Sequence, residues 1–125
     1  MRPLPTTVSL VLGSVLLLAA CGGDDDTAAP PGAGPADSSV TVIAEDIDFG
    51  ADEYETEAGV FEFVYENEGN IAHTLLIEGV PFELMVRSNG DEIRSSVELE
   101  PGEYTLFCDV PGHRPAGMVA TLTVT

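Results

Sequence analysis

Four side chains in this sequence could together bind a soft metal ion. Cys108, His113 and Met118 fall within eleven residues, and His73 lies upstream in the sequence Asn-Ile-Ala-His. One thiolate, two imidazoles and a thioether form the donor set of a blue-copper centre, whereas magnesium, calcium and manganese prefer oxygen donors. These residue types at this spacing predict one mononuclear copper site.

Each of these residues has an ordinary explanation when it is considered alone. A single Cys or Met is usually a core residue, and a single His is usually a satisfied surface or core residue. The chain, however, has only two histidines, and both belong to the set. Of its three methionines, Met1 starts the chain and Met85 lies in an apolar run, which leaves Met118. The concentration of soft donors therefore favours the metal site.

The charge of the chain limits its partners. The sequence has 22 acidic residues and 4 basic ones, all of them arginines, with a formal net charge of -18. Nucleic acid is an unsuitable partner because phosphate binding needs clustered cations. The acidic residues are scattered, so they indicate a well-solvated surface, or they steer the protein toward a redox partner with a basic docking surface. A length of 125 residues fits one domain with short appendages, and we expect a monomer.

The N-terminal residues have the layout of an export signal. Residues 1–20 carry Arg2 followed by an apolar run from Val8 to Ala20, which is short for a transmembrane helix. The sequence Leu-Ala-Ala-Cys that ends at Cys21 resembles a bacterial lipobox, which implies a cleaved signal peptide and a lipid on Cys21. A plain signal peptide or an uncleaved anchor is the alternative. We therefore expect an exported protein, anchored to the outer face of the cell membrane or in the periplasm.

The remaining chain divides into a tether and a domain. Residues 21–38 are rich in Gly, Pro, Ala and Asp after the lipidated cysteine, a composition that behaves as a flexible linker. From residue 39 to residue 125 apolar residues recur at every second position, which is typical of strands with one buried face. Phe61, Phe63 and Tyr65 give the clearest example.

Two stretches of the domain depart from simple alternation. The apolar phase of the first strand slips at Ile47 and Phe49, which predicts a bulge or bend with both residues in the apolar set. Residues 81–88 fit either a helical turn or an irregular strand. With about seven or eight short strands separated by turn signals, the sequence predicts an all-β, antiparallel sandwich.

The alternation also places the metal donors. Cys108 has the parity of Leu106, His73 has the parity of Leu75, and Met118 shares that of the apolar residues in the last strand. We therefore expect three donors at core-facing positions near strand ends, with His113 on the connecting loop.

Several segments give the domain a resemblance to the cupredoxins, the small blue-copper family that includes plastocyanin and azurin. The segments that carry it are Gly59–Phe63, Asn70–His73, Pro101–Cys108, Pro111–His113 and Gly117–Met118. The resemblance implies a Greek-key β-sandwich and a one-electron carrier without enzymatic activity.

The resemblance also implies a role for individual residues. His73, Cys108 and His113 would be equatorial ligands, and Met118 the axial one. Two further residues, Thr74 and Asp109, would cross-link the ligand loops. The surface around His113 would be the site of electron exchange, formed by Pro111, Gly112, Pro115 and Ala116.

The donor count excludes some copper proteins and leaves three functions open. A dinuclear copper centre would need a second site cysteine, and a copper nitrite reductase would need more histidines. The leading hypothesis is a membrane-tethered electron carrier cycling between Cu(II) and Cu(I). The alternative is an extracytoplasmic module that binds or delivers copper without a redox role. A third possibility is a metal-free sandwich that serves adhesion or assembly.

Overall fold

Alternating apolar residues build two β-sheets in the computed structural model, which describes residues 38–125. In chain order the strands are β1 (Ser39–Glu45), β2 (Asp48–Phe49), β3 (Glu53–Thr56), β4 (Gly59–Asn67), β5 (His73–Ile77), β6 (Glu83–Val86), β7 (Glu92–Leu99), β8 (Gly102–Phe107) and β9 (Val119–Val124). A short helix, α1 (His113–Ala116), lies between β8 and β9. The predicted signal peptide, the predicted lipidation site Cys21 and nearly all of the predicted tether lie outside the described residues. Within residues 38–125 no helix has the length and apolar character needed to cross a membrane.

The sheets pack as the predicted sandwich but are not purely antiparallel. One sheet has the order β2-β1-β4-β7 and the other the order β3-β9-β8-β5-β6. Strands β1 and β4 are parallel, and so are β3 and β9, while the other neighbours are antiparallel. The prediction of an antiparallel sandwich was wrong for these two pairs, because a period of two residues identifies a strand but not the direction of its neighbour.

The inner faces of the two sheets form one core. The side chains of Phe61, Phe63 and Tyr65 on β4 are fully buried, and Leu75 and Leu106 pack from the other sheet. Burial of each such apolar side chain contributes about 1.5–3 kcal/mol to stability. The core also reaches the strand that carries His73, because the Tyr65 hydroxyl donates a hydrogen bond to the Thr74 carbonyl at 3.1 Å. Burial raises the pKa of Tyr65 well above its usual range, so this hydroxyl stays protonated and able to donate.

The structure shows the conformation of the two stretches that departed from simple alternation. The predicted bend exists: β1 ends at Glu45, and Ile47 has a φ of 68° before β2 begins. Phe49 is buried as expected, but Ile47 is 41% exposed and does not belong to the core. Residues 83–86 form a regular strand, in which Met85 is 46% exposed because it points away from the core. Residues 38–125 contain nine strands, compared with the prediction of about seven or eight.

Candidate metal centre

Each predicted metal donor lies at the end of a secondary-structure element. His73 is the first residue of β5, Cys108 directly follows β8, and Met118 directly precedes β9, as the parity of these residues predicted. His113 is the first residue of α1, so its connection is a short helix rather than a plain loop. The side chains of His73, Cys108 and Met118 are fully buried, and His113 is 7% exposed.

Three of these side chains converge on one point. One possible ligand atom from each of His73, Cys108 and His113 lies within 4.8 Å of the other two. The Cys108 Sγ atom is 3.6 Å from His113 Nδ1, and the two imidazole ring centroids are 5.1 Å apart. Because metal bonds to nitrogen and sulfur are about 2.0–2.3 Å long, a single ion can bridge donors at these separations.

The chemistry of His73 fits a bound metal. Both of its ring nitrogens are buried and make no hydrogen bond with the described residues. Leaving a buried polar atom without a partner costs about 1–3 kcal/mol. Burial, with a smaller contribution from His113, lowers the pKa of His73, which keeps the imidazole neutral with a free lone pair. A copper ion that accepts this lone pair would satisfy one of the unpartnered nitrogens.

The loop that carries the other donors is closed by its own backbone. The Cys108 N–H donates to the Met118 carbonyl at 3.2 Å, and the Met118 N–H donates to the His113 carbonyl at 3.1 Å. Gly112 and Gly117 border α1 with φ values of 87° and 118°, which residues with a side chain rarely adopt. These two glycines allow one helical turn to fit between β8 and β9. These backbone bonds place Met118 next to Cys108 and His113, and its coordination stays a prediction.

The cysteine sulfur is hydrogen-bonded from the neighbouring ligand strand. The Thr74 N–H is 3.4 Å from Cys108 Sγ, and the Thr74 hydroxyl is 3.5 Å from it. The same hydroxyl donates to Asp109 Oδ1 at 2.7 Å and accepts from the Asp109 N–H at 3.0 Å. Thr74 and Asp109 therefore lie together between the two ligand loops, where the resemblance implied. Donors to a ligand sulfur restrict its position and stabilise its negative charge.

Exposure differs sharply between His113 and the residues around it. Of the four predicted ligands, His113 alone has measurable exposure. Its neighbours in the loop are exposed, namely Pro111, Gly112, Pro115 and Ala116. The residues predicted to form the exchange surface are therefore accessible, and they surround the ligand that lies nearest to solvent.

Sequence reasoning missed the residues that fix the loop before His73. Asn67 is 1% exposed, donates from Nδ2 to the Ile71 carbonyl at 2.8 Å and accepts from the Gly69 N–H at 2.9 Å. Asp46 accepts a hydrogen bond from the Asn70 N–H at 2.8 Å, and this bond lowers the pKa of Asp46. In the sequence both residues resemble ordinary turn residues, and only their position in the fold distinguishes them.

Gly69 explains why this loop packs closely against the turn after β1. A Cβ atom at this position would lie 2.8 Å from Asp46 Oδ1 and 3.0 Å from the Asp46 backbone nitrogen. A residue with a side chain would therefore separate the loop from Asp46.

Comparisons with known proteins agree with this fold. Two solved structures share the fold with a TM-score of 0.62 each. The dithionite-reduced auracyanin of the photosynthetic bacterium Roseiflexus castenholzii is 16% identical, and the match covers 72% of this chain and 98% of that one. Auracyanin B is 21% identical, with 74% and 92% covered. No curated protein matches the chain.

A family model identifies the chain more directly. The model for copper binding proteins of the plastocyanin/azurin family matches residues 40–125, which include all four predicted ligands. The site of His73, Cys108 and His113, with Met118 nearby in the chain, is suited to one copper ion. The chain belongs to the plastocyanin/azurin family of copper-binding proteins.

Proposed function

We propose that this protein is a membrane-tethered carrier of single electrons. The observation that carries the proposal is the convergence of one buried thiol and two buried imidazoles within 4.8 Å at one end of the sandwich. A copper ion bound there would supply a Cu(II)/Cu(I) couple. The donor atoms are a soft sulfur and two imidazole nitrogens. This donor set suits one-electron transfer better than hydrolysis by a metal-bound water.

The protein supports transfer by holding its donors in place. His73 and Cys108 are fixed by the ends of paired strands, and the backbone bonds between Cys108, His113 and Met118 close the loop between them. The Thr74 N–H adds a hydrogen bond to the sulfur, and the Thr74 hydroxyl lies 3.5 Å from it, on a strand that is itself in the sheet. A site that changes little between two oxidation states needs little reorganisation, and this rigid arrangement provides that condition.

Burial favours electron transfer over copper delivery. A protein that hands its metal to another protein must expose ligands to that acceptor. Here Cys108 and His73 are fully buried, whereas an electron could leave the site through His113, which is 7% exposed. The exposed surface of Pro111, Gly112, Pro115 and Ala116 around His113 is therefore our proposed docking site.

The remaining parts of the proposal concern location and partner. A lipid on Cys21 would attach the protein to the membrane, and residues 22–38 would let the metal end reach a redox partner. Eighteen of the 22 acidic residues and three of the four arginines lie in residues 38–125. This charge would orient the carrier toward a partner with a basic docking surface, most strongly at low ionic strength.

The decisive experiment is copper loading of the purified protein, followed by optical spectroscopy and voltammetry. We expect one copper ion per chain, an intense thiolate-to-copper absorption and a reversible one-electron couple. A colourless Cu(I) complex that transfers its metal to a chelating acceptor would instead support the delivery function.

The docking surface is tested by placing a negative charge beside His113. Pro115→Glu should leave copper bound, because the residue is exposed and is not a donor. At low salt it should slow electron exchange with a small anionic complex such as hexacyanoferrate by roughly threefold to tenfold, because like charges repel at close range. Stopped-flow absorbance measures this rate.

A matched variant separates local from global charge. Thr41→Glu adds the same charge at an exposed position of β1, in the sheet that carries none of the donors. It should have a much smaller effect on the hexacyanoferrate rate. Equal slowing by both variants would show that net charge, rather than the surface around His113, controls the exchange.

A further inference from the structure

Arg114 makes two contacts that join the three elements bearing the buried donors. Its guanidinium carbon lies 4.1 Å from the centroid of the Phe107 ring, and its Nη2 atom lies 2.7 Å from Glu78 Oε1. Arg114 directly follows His113, Phe107 directly precedes Cys108, and Glu78 directly follows the strand that begins with His73. One side chain therefore spans α1, the end of β8 and the turn after β5.

The partners of Arg114 are fixed by the sheet. Phe107 is paired with Leu76 in the register of β5 and β8. The Glu78 N–H donates to the Thr105 carbonyl at 2.9 Å, so the backbone at Glu78 continues the same pairing. The helix, in contrast, is a single turn with glycines in positive-φ conformations at both ends and no side-chain cap. A helix this short has little intrinsic stability and depends on contacts to the rest of the fold.

We infer that Arg114 is a positioning residue that holds the helix carrying His113 against the strands carrying Cys108 and His73. The planar guanidinium can stack on the Phe107 ring while its edge binds the Glu78 carboxylate, a combination available to arginine but poorly matched by lysine. Each contact is modest at a surface, but both act on the same helical turn. The role in electron transfer rests on the proposed function, whereas the holding of the helix does not.

The chain contains a matched control for this arginine. Arg94 on β7 makes ion pairs with Glu92 at 2.6 Å and Glu62 at 3.5 Å, and its side chain is 54% exposed, compared with 42% for Arg114. It belongs to the sheet that carries none of the donors. Arg94→Ala therefore removes a surface cation with two acidic partners and leaves the metal end unchanged.

The first test uses the copper-free full chain and amide hydrogen exchange. The reporters are the N–H groups of Ala116, Gly117 and Met118, which donate to carbonyls of residues 112–114. Arg114→Ala should accelerate their exchange by roughly tenfold, since local opening no longer has to break the two contacts. Arg114→Lys should recover part of the protection, and Arg94→Ala should leave it unchanged.

The second test uses the copper-loaded protein and asks whether the helix affects the metal site. Arg114→Ala should broaden the frozen-solution electron paramagnetic resonance spectrum, because His113 samples more positions, and Arg94→Ala should not.

Unchanged amide exchange in Arg114→Ala would overturn the inference, as would equal effects of the two alanine variants. Lysine behaving as alanine would show that the planar guanidinium, rather than positive charge alone, holds the helix. Faster exchange with an unaltered spectrum would show that Arg114 stabilises the helix without positioning His113. Failure of the protein to bind copper would contradict the proposed function but leave the exchange result intact.

Discussion

Two loops of this molecule are organised around an electron-rich side chain, in very different surroundings. In the ligand loop, Cys108–Met118, the acceptor is the Cys108 sulfur, which receives contacts from the Thr74 N–H and hydroxyl. In the turn between β6 and β7, Arg87–Asp91, the acceptor is the Asp91 carboxylate. It receives the N–H groups of Arg87 and Ser88 at 2.8 and 3.1 Å and the Ser88 hydroxyl at 3.3 Å.

The difference lies in burial and in the origin of the donors. Cys108 is fully buried, and its donors come from a strand 34 residues away. The Asp91 bonds lie at the surface and join residues three or four positions apart. Water can replace a local surface bond, whereas a buried long-range bond has no substitute when one partner is removed. Similar hydrogen-bond patterns should therefore differ widely in their importance for stability and function.

The largest effect should follow removal of the buried acceptor itself. Cys108→Ala should abolish the intense visible absorption. Removal of a residue that only hydrogen-bonds to a metal ligand weakens metal binding by roughly 10–100-fold. Removal of the ligand itself should weaken copper binding by at least as much. The copper-free fold should lose only about 1–2 kcal/mol of unfolding free energy, because a free cysteine behaves as a small apolar residue. Copper titration and urea unfolding measure the two quantities.

The other cysteine provides the matched control. Cys21→Ala removes the other cysteine of the chain, at the predicted lipidation site, so it should prevent attachment of the lipid while leaving the absorption intact. If Cys21→Ala bleached the copper site, or if Cys108→Ala retained its colour, the assignment of the thiolate ligand would be wrong. A large loss of stability in copper-free Cys108→Ala would instead give the residue a structural role.

A smaller effect should follow removal of one polar contact to the sulfur. Thr74→Val keeps the shape and the backbone N–H but removes the hydroxyl that contacts Cys108 and Asp109. The Asp109 N–H then loses its acceptor, and unfolding free energy should fall by about 1–3 kcal/mol. The reduction potential should fall by an amount on the order of tens of millivolts, because less positive polarisation at the sulfur stabilises the reduced state less.

Thr41→Val supplies the comparison for this variant. Thr41 is exposed on β1, so the same loss of a hydroxyl should change stability by no more than about 0.5 kcal/mol. Voltammetry and urea unfolding on both variants check the prediction. An unaltered potential in Thr74→Val would mean that the hydroxyl serves Asp109 alone and that the backbone N–H is the effective donor to Cys108.

The sequence was sufficient for the fold class because several strands alternate between buried and more exposed residues, as β1 and β9 do. Phe61, Phe63 and Tyr65 are all buried, as their period of two predicts. The direction of pairing was not predictable, since β1 and β3 have parallel neighbours that leave no trace in their own residues. Ile47 was misplaced because its apolar side chain lies on a turn in a positive-φ conformation, where polarity does not indicate burial.

The donor residues were predictable because their chemistry is rare in this chain, but the residues that support them were not. Two histidines and one cysteine in the domain leave few possible metal sites. Asn67 and Arg114 are common residue types whose roles depend on a partner that is distant in the sequence or defined by packing. The Arg114 carboxylate partner, for example, lies 36 positions away at Glu78. One sequence gives no means of choosing that partner among so many acidic residues.

The smallest effect should follow removal of the surface acceptor, and it should depend on pH. Hydrogen bonds from Arg87 and Ser88 lower the pKa of Asp91 below its usual value near 3.8. A carboxylate with a lowered folded-state pKa stabilises the fold above the unfolded pKa and loses this contribution as pH falls through the folded value. The urea midpoint of the wild type should therefore exceed that of Asp91→Asn slightly at pH 7, and this difference in midpoint should close below about pH 3.8.

Asp52→Asn, which removes the same charge at an exposed position, measures the contribution of net charge alone. A gap between wild type and Asp91→Asn that is equal at pH 3 and pH 7 would contradict the role of the ionised carboxylate. A gap as large as that of Thr74→Val would break the contrast between the two loops, because a surface acceptor would then matter as much as a buried one.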